Sequence, residues 1–386
     1  MLNSFSIYYT ELSIIFFEAV LLLILLSNLR RLRRLGEDPP PSRWPRVSVL
    51  VPARNEEINI EACARSLLAQ QYPDFQVLVL DDNSSDRTWP IISQLTVEDP
   101  RLQIYRGEAL PAGWLGKHWA CHQLAQTANG ELLLFTDADT RHHPLTLRQS
   151  VSALAAEDAD LLTALPREIV VSWAERLLVP LIPWSIVAFI PLGLAYRLRL
   201  PVLSAAIGQF MLFRRQAYDQ IGGYEAVRHH VVDDLALVRR VKSHGLRWRL
   251  ADGAQQVRCR MYRNFNEVYQ GLSKNLFAAF DYRVLPFLFV WLFLGCVFWT
   301  PLLILASGLT GVQWPAYSMA LAGIAIALAL MLWGVVEWRF GFPRYLMFFY
   351  PITILLSVTI ALSSMTLTVT NRATWKGRTL VRQKIS

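Results

Sequence analysis

A chain of 386 residues is longer than one ordinary domain, and only 18% of it is charged, short of the ~25% usual for a soluble protein. With 53% hydrophobic residues, that deficit excludes a wholly water-exposed globule and calls for membrane segments. The net charge of +8 gathers beside those segments with no nucleic-acid-binding module, so the lipid bilayer is the expected partner and nucleic acid is not.

In chain order, residues 12–29 form the first predicted element, a membrane span that is apolar but for Glu18 and a few small polar residues. Its positive charges, Arg30, Arg31, Arg33 and Arg34, follow the apolar run, and no small-x-small cleavage site comes next. This predicts an uncleaved anchor over residues 1–30, with the following chain on the cytoplasmic face of the cell membrane. "DPPPSRWP" (38–45) reads as a stiff linker into a domain over residues 45–283.

That domain reads as strand "RVSVLVP" stopped by Pro52, a helix over 56–70, strand 75–82 and a helix around "DRTWPIISQLTVED". A short strand "RLQIYRG" comes next, then a helix over 117–129 closed by Gly130, a strand "ELLLFTDAD" and another over 159–165. Strands alternating with helices predict an α/β fold with a mostly parallel sheet. Ligands bind such sheets beyond the carboxyl ends of the strands. Three of those ends are polar here: "PARNEE", "DDNSSD" and "DADT".

Asp137 and Asp139 raise the sharpest question, because two neighbouring carboxylates repel. An isolated D-x-D is most often a turn, whose acids cap backbone groups. Placed at the ligand rim, the same pair offers hard oxygens to a divalent cation. Asp233 and Asp234 in "VVDDLALVRR" open a predicted helix, where acids also serve as caps.

The ordered set "VPARNEE", "LDDNSSD", "GWLGKHWAC", "DAD", "GQFMLFRRQAYDQIGGYE" and "DDLALVRRVKSHG" resembles the inverting family 2 glycosyltransferases over about residues 46–252. The resemblance implies a GT-A fold, a nucleotide-sugar donor with UDP as the family default, and Mg²⁺ or Mn²⁺. It puts Asp137 and Asp139 on the metal, with Asp137 also near the ribose. Ala53, Glu56, Asp82 and Lys117 fall in the nucleotide-sugar site, and Gln209 and Asp233 in the acceptor and sugar region. Asp234 matches the catalytic base, which takes the proton of an acceptor hydroxyl.

Pro180, Pro183 and Pro191 break the apolar run 177–196, so it is expected to lie in the membrane interface with Trp173 and Trp184 at head-group level. An amphipathic helix over 265–280 would lie there too. Membrane-pressed elements favour a lipophilic acceptor. The Q-x-x-R-W motif of processive synthases is missing: "QQVRCRMYRNFNE" has no tryptophan. "RCRMY" and "TWKGR" look most like bacterial carotenoid glycosyltransferases, with enzymes of hopanoids, ceramide, diacylglycerol and polyprenyl phosphate as alternatives. A catalytically dead membrane scaffold is the reading from another class.

Spans are predicted over 284–307, 316–336 and 345–369, within a membrane region of residues 284–369, followed by a basic tail over 370–386. Pro351 and the positive tail together predict that 345–369 is broken and re-entrant, returning Trp375, Lys376 and Arg378 to the donor phosphates. Four scattered cysteines, with no C-x-x-C, predict neither a zinc site nor a disulfide framework.

Overall fold

The computed structural model describes residues 4–375, 378–379 and 385. After α1 (Ser4–Arg31) come β1 (Val47–Ala53), α2 (Ile60–Leu68), β2 (Phe75–Asp81), α3 (Thr88–Glu98), β3 (Leu102–Arg106) and α4 (Gly116–Thr127). Next are β4 (Leu132–Phe135), β5 (Thr140–His142), α5 (Thr146–Ala156), β6 (Leu161–Leu165) and β7 (Arg167–Glu168). Three short helices follow, α6 (Trp173–Leu178), α7 (Leu181–Phe189) and α8 (Leu192–Ala195). Then run β8 (Met211–Arg214), α9 (Arg215–Gln220), α10 (Asp233–Ser243), β9 (Trp248–Asp252), β10 (Val257–Cys259) and α11 (Phe265–Asn275). The long helices α12 (Val284–Leu309), α13 (Ala316–Phe340) and α14 (Tyr350–Val369) precede a hairpin, β11 (Thr374–Trp375) with β12 (Arg378–Thr379).

Two compact units result: Arg31–Ile169 with Leu192–Met261, and Met1–Arg30 with Val170–Pro191 and Tyr262–Ser386. In the first, a seven-stranded sheet has the order β3-β2-β1-β4-β8-β6-β9. Only β8 runs antiparallel to its neighbours, so the sheet is mostly parallel, as its α/β alternation predicts. Continuous apolar strands such as Phe75–Asp81 are buried along their whole length, as a sheet covered on both faces requires. A second sheet, β5-β10-β7, begins one residue after Asp139.

Pro52 does not stop β1, which continues to Ala53. Pairing with β4 ends at Leu50, so the missing proline N–H leaves no hole in that ladder. Gly130 is likewise not a left-handed helix stop. α4 ends at Thr127 with Ala128 as its cap, and Gly130 instead lies hard against β1. A Cβ there would stand 2.5 Å from the Ser48 backbone nitrogen, and the Gly130 N–H donates to Ser48 Oγ at 2.8 Å.

In the other unit, α1 and α12–α14 are each long and apolar enough to cross a membrane. The run containing Pro180, Pro183 and Pro191 is not a straight span: it forms α6 and α7, and the Asn28 amide donates to the Val187 and Ile190 carbonyls at 2.8 and 2.7 Å. Trp173 is 54% exposed, but Trp184 is 1% exposed, so Trp184 is no head-group anchor. It stacks on Trp333 of α13, ring centroids 4.8 Å apart and planes 11° from parallel, so the indole is covered by another helix. Nor is α14 broken at Pro351, which sits in its first turn, where a missing N–H disturbs nothing. α11 begins at an Asn264 cap and buries Val268, Gly271 and Leu272, with Phe277 N–H and Ser273 C=O both bonded to Ser364 of α14. Lys376 and the side chains of Trp375 and Arg378 lie outside the described residues.

Candidate active site

The strand order reverses between β1 and β4, a topological switch point where such sheets form a crevice. The loops after β1 and β2 meet on one side of it. Asn55 and Asn83 both take positive φ, 54° and 53°, turning the chain sharply after each strand. The Asn55 N–H donates to Ser84 Oγ, and Asn55 Oδ1 accepts from the Ser85 N–H, each at 2.9 Å. Glu56 N–H donates to Thr88 Oγ1 at 2.7 Å, and Glu57 N–H to Asp86 Oδ2 at 3.0 Å. Hydrogen bonds from Thr88 and from the Glu57 and Thr88 N–H groups outweigh burial and hold the Asp86 carboxyl below its usual range.

Ala53 and Asp82 meet here, with Asp82 N–H donating to the Ala53 carbonyl at 2.8 Å. Arg54 Nη1 donates to the Asp82 carbonyl at 2.7 Å and lies 3.7 Å from its carboxylate. Arg54 is a site residue missed in the sequence, since an arginine followed by an asparagine and two glutamates reads as ordinary surface.

On the β4 side, Asp137 and Asp139 follow the strand end. Lys117, in the first turn of α4, places Nζ 2.8 Å from Asp137 Oδ1 and 3.6 Å from Asp233 Oδ2. Burial alone would lower its pKa; Asp137 and Asp233 outweigh burial and hold the ammonium well above its ordinary range. Asp233 is not the N-cap residue of α10: Val232 holds that position without a side-chain cap, and Asp233 is the first residue of the helix itself. It is 8% exposed and instead accepts from Tyr224 Oη at 3.1 Å. Tyr224 is placed by packing against Phe135 of β4, ring centroids 5.1 Å apart.

Asp234 accepts from Gly208 N–H at 2.9 Å and Leu235 N–H at 2.7 Å. Burial and the neighbouring Asp233 push its carboxyl up to about 6, against the opposing pull of Lys117 and those two N–H groups. Gly208 lets Lys117 and Asp234 approach its backbone closely: a Cβ there would come within 3.2 Å of Lys117 Nζ and 3.6 Å of Asp234 Oδ2.

The small sheet adds a layer that local patterning does not reveal. Registry sets Cys259 opposite both Thr140 and Glu168. Asp139 hydrogen-bonds Cys259, and Gln209 Nε2 donates to Glu168 Oε1 at 2.8 Å and to Cys259 Sγ at 3.2 Å. Burial, reinforced by Asp139 and Asp137 against the Gln209 hydrogen bond, pushes the Glu168 carboxyl up to about 8. Beneath lies His142, bonded to Thr136 and Thr140; burial, helped by Arg141, drops its pKa to about 3 and keeps it neutral.

No group of three His, Cys, Asp or Glu side chains is arranged to hold a metal among the described residues. Asp137 and Asp139 still fit a hard divalent cation as two of its ligands, with oxygens of a phosphorylated ligand and water completing the shell. Lys117, already paired with Asp137, adds positive charge to the same rim.

Residues 48–222 match the family model for glycosyl transferase family 2. Among curated proteins, the chain is 33% identical over 207 residues to β-monoglucosyldiacylglycerol synthase of Trichormus variabilis, an alignment covering 51% of this chain and 41% of that protein. It is 24% identical over 259 residues to 4,4'-diaponeurosporenoate glycosyltransferase of Staphylococcus haemolyticus, covering 65% of this chain and 67% of that one. A mannosyltransferase of Pyrobaculum calidifontis, solved with GDP-Man and Mn²⁺, superposes with a TM-score of 0.56 at 16% identity, over 97% of this chain and 99% of that one. The fold is GT-A, and the chain spans less than half the length of the first of these relatives.

Proposed function

We propose that the protein transfers a sugar, with inversion, from a nucleotide-diphosphate donor to a hydroxyl of a lipophilic acceptor, with Asp234 as general base. The observation that carries this is the division of labour among the acids. Asp137 is ion-paired with Lys117, while Asp234 is held by two backbone N–H groups, one of them from Gly208, whose missing side chain lets the carboxylate and the lysine come close. A group with a pKa of about 6 is mostly ionised at neutral pH yet basic enough to accept a hydroxyl proton. Inversion asks for attack opposite the leaving group, and so for a base separate from the donor carboxylates.

In this reading Ala53, Glu56 and Asp82 hold the nucleoside from the β1 and β2 loops. Asp137, Asp139 and Lys117 face the diphosphate, and Mg²⁺ or Mn²⁺ bound by the two aspartates would neutralise charge developing on the leaving group. Asp234 accepts the acceptor's proton, and the Gly208 and Leu235 N–H groups keep its carboxylate oriented. UDP is the proposed nucleotide, by family default. Four apolar helices suit a cell-membrane enzyme with its catalytic unit in the cytoplasm and an acceptor arriving from lipid.

A carotenoid is the proposed acceptor, supported by a relative whose length is matched over two thirds. A diacylglycerol glycolipid is the second reading, favoured by the higher identity within the catalytic segment. Mass spectrometry of membrane lipids and pigments from cells with and without the chain tests both. A hexose added to a carotenoid supports the first and a hexosylated glycerolipid the second. No new glycoconjugate, with nucleotide binding intact, would sink the activity and leave a scaffold.

A further inference from the structure

Glu168 and Gln209 lie outside the acid pairs, and each carries one buried polar atom that the described residues leave unmatched. Glu168 is 8% exposed and Gln209 3% exposed. Each bonds the other through one end, while Glu168 Oε2 and Gln209 Oε1 are buried with no hydrogen-bond partner among the described residues. Native structures rarely leave such atoms unmatched, and two on adjacent side chains imply a ligand that meets them together. The pair is wired to both halves of the site. Gln209 contacts Cys259, the partner of Asp139, and follows Gly208, whose N–H holds Asp234.

We infer that Glu168 and Gln209 recognise two neighbouring hydroxyls of the transferred sugar, which makes Glu168 a specificity-determining residue; this rests on the nucleotide-sugar reading above. The chemistry is complementary. A carboxyl pushed up to about 8 is protonated at neutral pH and donates, whereas the amide oxygen accepts. One donor beside one acceptor matches a pair of hydroxyls and discriminates their configuration. Neither atom would touch the nucleotide.

Calorimetry on the full chain in detergent with Mn²⁺ tests the assignment, using UDP, UDP-glucose, UDP-galactose, GDP and GDP-mannose as probes. For the nucleotide that binds, wild type should hold one sugar conjugate more tightly than the bare diphosphate. In Glu168→Leu the affinity for the bare nucleotide should stay within about twofold. The extra affinity contributed by the sugar should fall about tenfold, and the preference among sugars should narrow. Glu168→Gln keeps an N–H donor and a carbonyl for Gln209, so it should restore most of the preference. If Glu168→Leu fails to fold, Glu168→Asp carries the same test by withdrawing the carboxyl one methylene. Equal weakening of bare nucleotide and sugar conjugate would reduce Glu168 to a packing role and overturn the inference. Wild type that binds no nucleotide would remove the donor reading itself, and this one with it.

Discussion

Replacing Asp234 by Asn should stabilise the protein at neutral pH while abolishing transfer. The rise of its carboxyl from 3.8 to about 6 is worth about 3 kcal/mol at ~1.36 kcal/mol per pKa unit. The sign follows from which state releases its proton first. Between about pH 4 and 6 the unfolded chain has lost the Asp234 proton and the folded chain still holds it, so rising pH favours unfolding. Above about 6 both are ionised and the whole penalty is in force. Asn carries no charge and escapes that penalty. Its single amide oxygen can match only one of the Gly208 and Leu235 N–H groups, which costs about 1 kcal/mol at every pH. Relative to wild type, the variant should therefore start about 1 kcal/mol less stable near pH 4 and end about 2 kcal/mol more stable above pH 7. Denaturant unfolding in detergent, followed by tryptophan fluorescence across that range, reads the difference. A stability gap that does not move with pH would refute the assigned burial of charge, whatever the activity does.

Asp139→Ala should weaken Mn²⁺-dependent nucleotide binding at least tenfold, whereas Asp234→Asn should spare it; calorimetry showing equal loss in both would cancel the role assignment. Gly208→Ala brings a methyl within 3.2 Å of Lys117 Nζ, and the lysine tip should yield, leaving the melting temperature nearly unchanged but lowering kcat about a hundredfold. Gly130→Ala meets backbone at 2.5 Å, which cannot yield, so stability should fall by more than ~2 kcal/mol in a thermal melt.

The rim acids were legible because apolar strands running into charged residues are a local pattern. Asp82 and Asp137 needed only their neighbours in sequence to be put at strand ends, whereas Asp234, in the first turn of a helix, was singled out by the family resemblance. Glu168 was not legible, since "LPREIVV" carries no periodicity and its importance arises from β7–β10 pairing with Cys259, some ninety residues away. The N-terminal position of Asp233 suggested a cap, but the deciding partners were a tyrosine nine residues back and Lys117 on another helix. Prolines misled twice for one reason: their effect depends on which backbone groups lie opposite. Pro52 sits past the end of the neighbouring ladder, and Pro351 in a helical first turn. Trp184 was read from composition, whereas its depth is decided by an indole of another helix.

The cross-linked loops after β1 and β2 bear on binding thermodynamics. Asn55, Glu56 and Glu57 are fastened to Ser84, Ser85, Asp86 and Thr88 within the chain itself. Segments that order only on contact charge their lost disorder to the ligand, at roughly 1–2 kcal/mol for each backbone residue fixed. Here that loss is met during folding, so a nucleoside arriving between these loops finds a rigid wall. Its association should then show little unfavourable conformational entropy from this side of the crevice. Cutting the fastening at Asn55 should weaken binding through entropy alone, with the binding enthalpy scarcely altered.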